Sequence, residues 1–242
     1  MKIVINTFGT RGDVQPYVAL GLGLKQAGHE VRLVSHQIFE DFIRGYGLDF
    51  HALQVNPREV LVNQAIAELG NDMGKIRRWM ESHFKTALEE IFVETLAGDR
   101  GMDLILNTGL SFAGWHVAEK LNIPALAAYL WPANPSRYIP PTSGTIPPDW
   151  LPFKGMMNYW QVKLSNQLFF NMLRKPTNEY RESLLGLPPL SAGYYWHLDS
   201  PKETVPIIYG YSPTVLPKPK DWCDKQQISG YWFFWHPKLH VS

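Results

Sequence analysis

The first 130 residues alternate between two kinds of hydrophobic order, and that alternation admits very few folds. Short apolar runs at Lys2–Asn6, Glu30–Ser35, Asp49–Leu53, Asp103–Asn107 and Ala125–Leu130 have the length and aliphatic content of buried strands. Between them lie segments with apolar residues at helical spacing. Val14, Val18 and Leu22 mark Val14–Gln26, with Leu20 and Leu24 widening the stripe, and Phe39–Tyr46, Pro57–Leu69, Lys75–Leu96 and Phe112–Leu121 follow. Gly28 and Gly47 stand where two of these helices stop. Strand, helix and parallel strand in repetition predict an α/β fold, a Rossmann-like parallel sheet with helices on both faces.

At Pro132 the texture changes. Prolines at 132, 135, 140, 141, 147, 148 and 152 predict a long irregular loop over residues 132–152. Beyond it Met156, Trp160, Leu164, Leu168 and Met172 recur every four residues. Such a stripe reads first as core, second as a pocket wall and third as a face for a membrane surface. Pro176–Leu185 is a further helix, and Pro206–Tyr209 and Gln227–Tyr231 are the last strands. The aromatic run Tyr231–Trp235 either folds back on the domain or forms a contact surface for something else.

Composition removes several function classes. Lys and Arg total 23 against 22 Asp and Glu, so no basic footprint for nucleic acid exists. The one cysteine, Cys223, excludes an internal disulfide and a multi-cysteine zinc site. The histidines at 29, 36, 51, 83, 116, 197, 236 and 240 are scattered along the chain and offer no metal-ligand cluster, so no metal is implied. Ile3-Val4-Ile5 is too short for a secretory core, and no apolar run approaches the ~18 residues of a membrane span. The expectation is a soluble cytoplasmic chain, with peripheral membrane contact as an addition.

The strongest local signal is Gly9-Thr10-Arg11-Gly12-Asp13-Val14-Gln15-Pro16, between the first strand and the first helix. In an open parallel sheet ligands bind outside the carboxyl ends of the strands, where helix amides face an anion. Gly9 and Gly12 allow close backbone approach and Arg11 can meet a phosphate. Asp13 can cap the helix or act as a base, and Pro16 fits a first turn. No Gly-Lys-Ser/Thr ending follows, which argues against a P-loop. A dinucleotide fingerprint needs other glycine spacing and an acid ending the second strand, where the chain has Val34-Ser35-His36. Gly21-Leu22-Gly23 falls inside the helix and is a packing feature. Gly109-Leu110-Ser111-Phe112-Ala113 resembles a nucleophile elbow with Asp199 and His236 in the usual order, but Ala113 replaces the final glycine; Ser111 as a helix cap is the competing reading.

The Gly9–Pro16 segment, continued by Gly28-His29-Glu30-Val31-Arg32-Leu33, resembles the amino-terminal domain of metal-independent, two-domain (GT-B) glycosyltransferases of family 28. The sterol 3-beta-glucosyltransferases and the antibiotic aglycone glycosyltransferases carry the nearest resemblance. Asn107-Thr108-Gly109, Ala118–Pro124, Tyr209–Pro213 and Ile228–Phe233 extend the resemblance along nearly the whole chain, in order.

The resemblance implies an acceptor-binding domain over residues 1–242, with residues 227–242 opening an interdomain linker. It implies inverting transfer of a hexose from a nucleotide sugar, UDP-glucose in expectation, to the hydroxyl of a sterol or other lipophilic acceptor. The nucleotide sugar is a co-substrate, and no cofactor is expected. Asp13 becomes the general base, there being no histidine before Ala27. Thr10, Arg11 and Gly12 become contacts for the donor diphosphate, and Asn107, Thr108, Trp131, Pro132 and Trp160 contacts for the acceptor. The donor-domain His-x-Gly-x-Gly-Thr segment of these relatives does not occur before Ser242. The expectation is half an enzyme, completed by a second domain or partner chain. The alternative is a non-catalytic module that keeps only acceptor recognition.

Overall fold

β1 (Lys2–Asn6) leads into α1 (Arg11–Gln26), β2 (Glu30–His36), a single 3₁₀ turn at Gln37–Phe39, α2 (Glu40–Gly45) and β3 (Asp49–Leu53). After these come α3 (Lys85–Asp99), β4 (Leu104–Asn107), α4 (Ala113–Leu121), β5 (Ala125–Tyr129), α5 (Lys154–Tyr180), β6 (Ile207–Tyr209) and β7 (Gln226–Ile228). This computed structural model describes residues 1–55, 85–142, 145–191 and 205–234. The helix expected at Pro57–Leu69 and the first part of Lys75–Leu96 lie outside the described residues.

The seven strands among the described residues are all parallel, in the order β3-β2-β1-β4-β5-β6-β7. The chain builds outward from β1 through β2 to β3, then returns to the other side of β1 with β4. That reversal creates a topological switch point between β1 and β4, and the crevice above their carboxyl ends is where such sheets bind ligands. The loop carrying Gly9 and the loop carrying Thr108 both rise there.

Alternation along the strands sorts their side chains into two layers. Ile3, Ile5, Val31, Leu33 and Leu106 pack under α1 with Val14, Tyr17 and Val18. Val4, Val34 and Ile105 face α3 and α4 with Leu88, Phe92 and Val117. Gly21 sits where α1 presses on the sheet: a Cβ there would stand 3.1 Å from Leu48, whereas Gly23 meets nothing. Of Gly21 and Gly23, only Gly21 carries a packing role.

Three sequence expectations change. Helix α1 starts at Arg11 rather than Val14, so Pro16 falls inside the helix. The lost bond is the one to the Gly12 carbonyl, and exposure of Gly12 leaves that oxygen to water. The two helices expected around Pro176 are one, α5, ending in a single π-type turn at Arg181–Leu185. Met172, the residue four before the proline, is on the exposed side, where its carbonyl can be hydrated.

The third change is the largest. The stripe Met156, Trp160, Leu164, Leu168 and Met172 is not core: these residues are 46%, 56%, 59%, 61% and 52% exposed. Helix α5 packs through its opposite face, with Asn158, Phe170, Leu173, Thr177 and Tyr180 buried.

The proline-rich loop is tied down at its start. Ser136 Oγ and the Arg137 N–H donate to the two Asp221 oxygens at 2.9 and 2.8 Å, and the Tyr209 hydroxyl donates to Asn134 Oδ1. The closing aromatic run divides by parity. Trp232 packs on Tyr17 at 5.4 Å and Phe234 stacks on Tyr46 at 4.6 Å, while Tyr231 and Phe233 face outward. Trp235 and His236 lie outside the described residues.

Candidate functional site

The β1–α1 loop is fixed by its own hydrogen bonds. The Thr7 N–H donates to the Val34 carbonyl at 3.0 Å and the Thr7 hydroxyl to the Asp13 carbonyl at 3.0 Å. Gly9 follows at φ +124°, a conformation that favours glycine, and a Cβ there would lie 2.5 Å from Asp13 Oδ2. Thr10 is the N-cap residue, and Asp13, three residues on, reaches back: the Thr10 N–H and hydroxyl donate to its Oδ2 at 2.8 and 3.0 Å. Both bonds fall on one oxygen. Oδ1 of this half-buried side chain makes no hydrogen bond to a described residue, so Asp13 caps the helix and keeps a second acceptor.

Thr10, Arg11 and Gly12 stand together at the exposed amino end of α1, where the first amides have no partner inside the helix. The Arg11 guanidinium lies over the Phe42 ring, 4.9 Å from its centroid, with Nε donating to Gln15 Oε1 at 3.2 Å.

Across the switch point, Asn107 ends β4 fully buried. Its Oδ1 accepts from Asn6 Nδ2 at 3.3 Å, and the same Asn6 amide donates to Asp99 Oδ2 at 3.0 Å. Burial pushes the Asp99 carboxyl up to about 7, against the lowering effects of Asn6 and Arg32. Gly114 closes over the cluster, since a Cβ there would meet Asn107 Oδ1 at 1.9 Å. Asn107 is thus committed to the interior behind the site.

Thr108 and Gly109 then enter a cavity of about 220 Å³ whose walls include Phe112, Tyr129, Trp131 and Phe169. Trp131 stacks on Tyr129 at 6.1 Å and 9° and covers Gly109, where a Cβ would approach the indole to 2.3 Å. Asn166 brings an amide to the rim and donates to the Ala133 carbonyl at 3.2 Å. The lining is aromatic and aliphatic with few polar groups, the chemistry of a pocket for an apolar molecule.

The residues assigned to the acceptor therefore part company. Thr108 and Trp131 share the cavity. Pro132 lines a smaller cleft of about 60 Å³ that also reaches Trp131 and Asn166, while Trp160 lies in another depression with Arg137, Tyr159 and Asp221. Asp13 is not part of the cavity lining; it stands on the neighbouring loop of the same sheet edge.

Ser111, the elbow candidate, is fully buried and its hydroxyl donates to the Thr108 carbonyl at 2.9 Å. That hydroxyl serves the turn into α4; the proposed partners Asp199 and His236 lie outside the described residues. Among the described residues no three His, Cys, Asp or Glu side chains converge as a cation site, and no helix is long and apolar enough to cross a membrane.

Sequence reasoning missed Tyr129, Phe169 and His36. The first two share the cavity with Trp131, and His36, last residue of β2, accepts from the Gly9 N–H. For Tyr129 and His36 the available signal was position, since each ends a strand at the carboxyl edge of the sheet; Phe169, on α5, gave no such signal.

Comparison with known proteins agrees with this architecture. The chain is 33% identical over 233 residues to the sterol 3-beta-glucosyltransferase of Yarrowia lipolytica, an alignment covering 96% of the chain and 15% of that relative. Among solved structures, the calicheamicin glycosyltransferase CalG4 superposes with a TM-score of 0.53 at 16% identity, covering 95% of this chain and 52% of that one. The glycotransferase of kitacinnamycin gives 0.54 at 14% identity, covering 93% and 50%. These structural likenesses show a shared GT-B amino-terminal fold. The sequence profile of the glycosyltransferase family 28 N-terminal domain matches residues 3–139, more than half of the chain, and the chain belongs to that family.

Proposed function

We propose that this domain receives a sterol or another lipophilic alcohol and presents its hydroxyl to a nucleotide sugar, UDP-glucose by preference, for inverting transfer of the hexose. The observation that carries this reading is the apolar cavity above the carboxyl ends of β4 and β5 in a family 28 domain, one strand away from the β1–α1 loop and its aspartate with an uncommitted oxygen. A volume of about 220 Å³ is below the ~300–1,000 Å³ of pockets for drug-sized ligands. It accommodates part of a sterol-sized acceptor, with the remainder extending toward Asp13.

In this scheme Oδ1 of Asp13 accepts the hydroxyl proton as the acceptor oxygen bonds to the anomeric carbon. The bond from that carbon to the diphosphate breaks, and the nucleotide diphosphate leaves with its electron pair. The Oδ2 cap holds the carboxylate while the proton moves. Thr10, the amides at Arg11 and Gly12, and the Arg11 guanidinium swung from Phe42 stabilise the charge growing on the diphosphate. The nucleotide-sugar site belongs to a second domain or partner chain, and the exposed Tyr231 and Phe233 lie at the junction with it.

The acceptor is collected at the cytoplasmic surface of a membrane. Lys154, Lys163, Arg174 and Lys175 accompany the exposed apolar stripe of α5, against Glu179 as the helix's only acidic residue. An apolar face with cationic flanks matches an anionic lipid surface.

The test is turnover of UDP-glucose and a sterol by the domain reconstituted with a donor domain. Asp13→Asn keeps an oxygen for the cap and removes the base, so turnover falls about 10²–10⁴-fold with the thermal midpoint unchanged. Unchanged turnover would return Asp13 to helix capping alone.

A further inference from the structure

The carboxylate at position 13 is held by a chain of contacts that ends on a buried imidazole. The Gly9 N–H donates to His36 Nε2 at 3.2 Å, and His36 Nδ1 lies 2.6 Å from the Val55 carbonyl. A backbone N–H and a backbone carbonyl on opposite sides of one ring permit a single neutral tautomer: the proton on Nδ1, donated to Val55, and a lone pair on Nε2 for Gly9. The ring is 4% exposed and packs 6.1 Å from Phe8. From Gly9 the next link is steric, because its left-handed backbone leaves room for Asp13 Oδ2, and the one after is the Thr10 N–H bonded to that oxygen.

We infer that His36 is the positioning residue of this site: its Nε2 lone pair fixes the Gly9 amide and thereby sets where Asp13 points. The inference rests on the proposed role of Asp13 only for its catalytic consequence; the mechanical link stands on the geometry. Burial pulls the imidazole below its usual value, opposed by the Val55 carbonyl, so the required neutral form is the one present at neutral pH. The charged and titratable groups on the elements around the ring are Arg11 and Asp13 on α1, Glu40, Asp41 and Arg44 on α2, Asp49 and His51 on β3, and Glu89, Glu90 and Glu94 on α3, which covers the Val34 side of β2; no described one bonds to it, Glu40 being taken up by Arg44 and Gln37, Asp49 by Arg32 and Glu94 by His51. Acid converts Nε2 from acceptor to donor. It then opposes the Gly9 N–H, and the loop loses its anchor.

The experiment is NMR on the 242-residue chain, following the Gly9 and Thr10 amides and the His36 ring nitrogens as pH is lowered from 8, with hydrogen exchange at neutral pH. In the native sequence both amides shift in step with His36 ring protonation. His36→Phe keeps an aromatic ring without the acceptor, and Gly9 and Thr10 exchange about tenfold faster while amides in β1 and β4 keep their protection. His36→Gln supplies a side-chain oxygen without a titrating ring, restoring protection and removing the pH step. Amides that ignore His36 protonation, or unaltered exchange in a folded His36→Phe, overturn the inference. If His36→Phe does not fold, the titration of the native chain and of His36→Gln decides alone. None of these readouts involves turnover, so failure here is separable from failure of Asp13 as a base.

Discussion

Helices α1 and α5 advertise the same thing in sequence, apolar residues at helical spacing, and meet opposite fates. In α1, Val14, Val18 and Gly21 are sealed beneath the sheet, with Gly21 close enough that an added Cβ would stand 3.1 Å from Leu48. In α5 the more regular stripe faces outward, and the helix is held by a chemically mixed face that includes Asn158 and Thr177. Periodicity states that a face needs cover. It does not state which element supplies the cover, because that depends on where the sheet leaves room.

The sharpest way to break the comparison is one charge placed in each stripe. Val18→Asp buries an unpaired carboxylate under the sheet, costs more than about 4 kcal/mol and leaves little folded protein by circular dichroism. Leu164→Asp changes stability by no more than about 0.5 kcal/mol in urea titration, because the side chain already meets water. It nevertheless weakens adsorption to vesicles of anionic phospholipid in a flotation assay about tenfold. A large loss of stability from Leu164→Asp would mean that the stripe is covered in solution.

Aromatic residues repeat the contrast at smaller scale. Trp232→Ala removes a ring packed on Tyr17 and on Gly210, and unfolding by urea shows a loss of about 2 kcal/mol. Trp160→Ala, on the outer face, stays within about 0.5 kcal/mol.

A pH-dependent effect concerns the buried cluster behind the site, where Asp99 Oδ1, Asn6 Oδ1 and Asn107 Nδ2 have no partner among the described residues. The folded-state value of Asp99 is raised by burial to about 7 from 3.8, so its protonated form suits the fold. Its contribution is fully present below pH 3.8 and is lost as pH rises toward about 7. Asp99→Asn keeps an acceptor for Asn6, abolishes that slope and raises stability at pH 8 by about 1–2 kcal/mol, with no gain at pH 4. Equal gains at both pH values would show that ionisation of Asp99 is irrelevant.

The same contrast explains how much could be read in advance. Strands β1 to β5 and the order of the site loops were legible, because a buried parallel strand must be a short apolar run and ligands gather at its carboxyl end. Asp13 was legible as both cap and candidate base; the fold shows the cap on Oδ2, and the base on Oδ1 is the proposal. The fates of Trp160 and Asn107 were not legible: an exposed Trp and a buried Asn both depend on contacts distant in sequence, Asn107 on Asn6 and Gly114 and Trp160 on which face of α5 the rest of the domain covers. His36 was hidden for the same reason, its meaning lying in a backbone N–H 27 residues earlier.

The account stands or falls on whether the cavity and the Asp13 loop act on one molecule. A crystal structure of the chain with a bound sterol tests this directly. The prediction is that the sterol rings lie against Trp131 and the hydroxyl oxygen lies within about 3.2 Å of Asp13 Oδ1, directly or through one water. A sterol bound with its hydroxyl pointing away from α1, or settled on the outer face of α5 with the cavity empty, would contradict it.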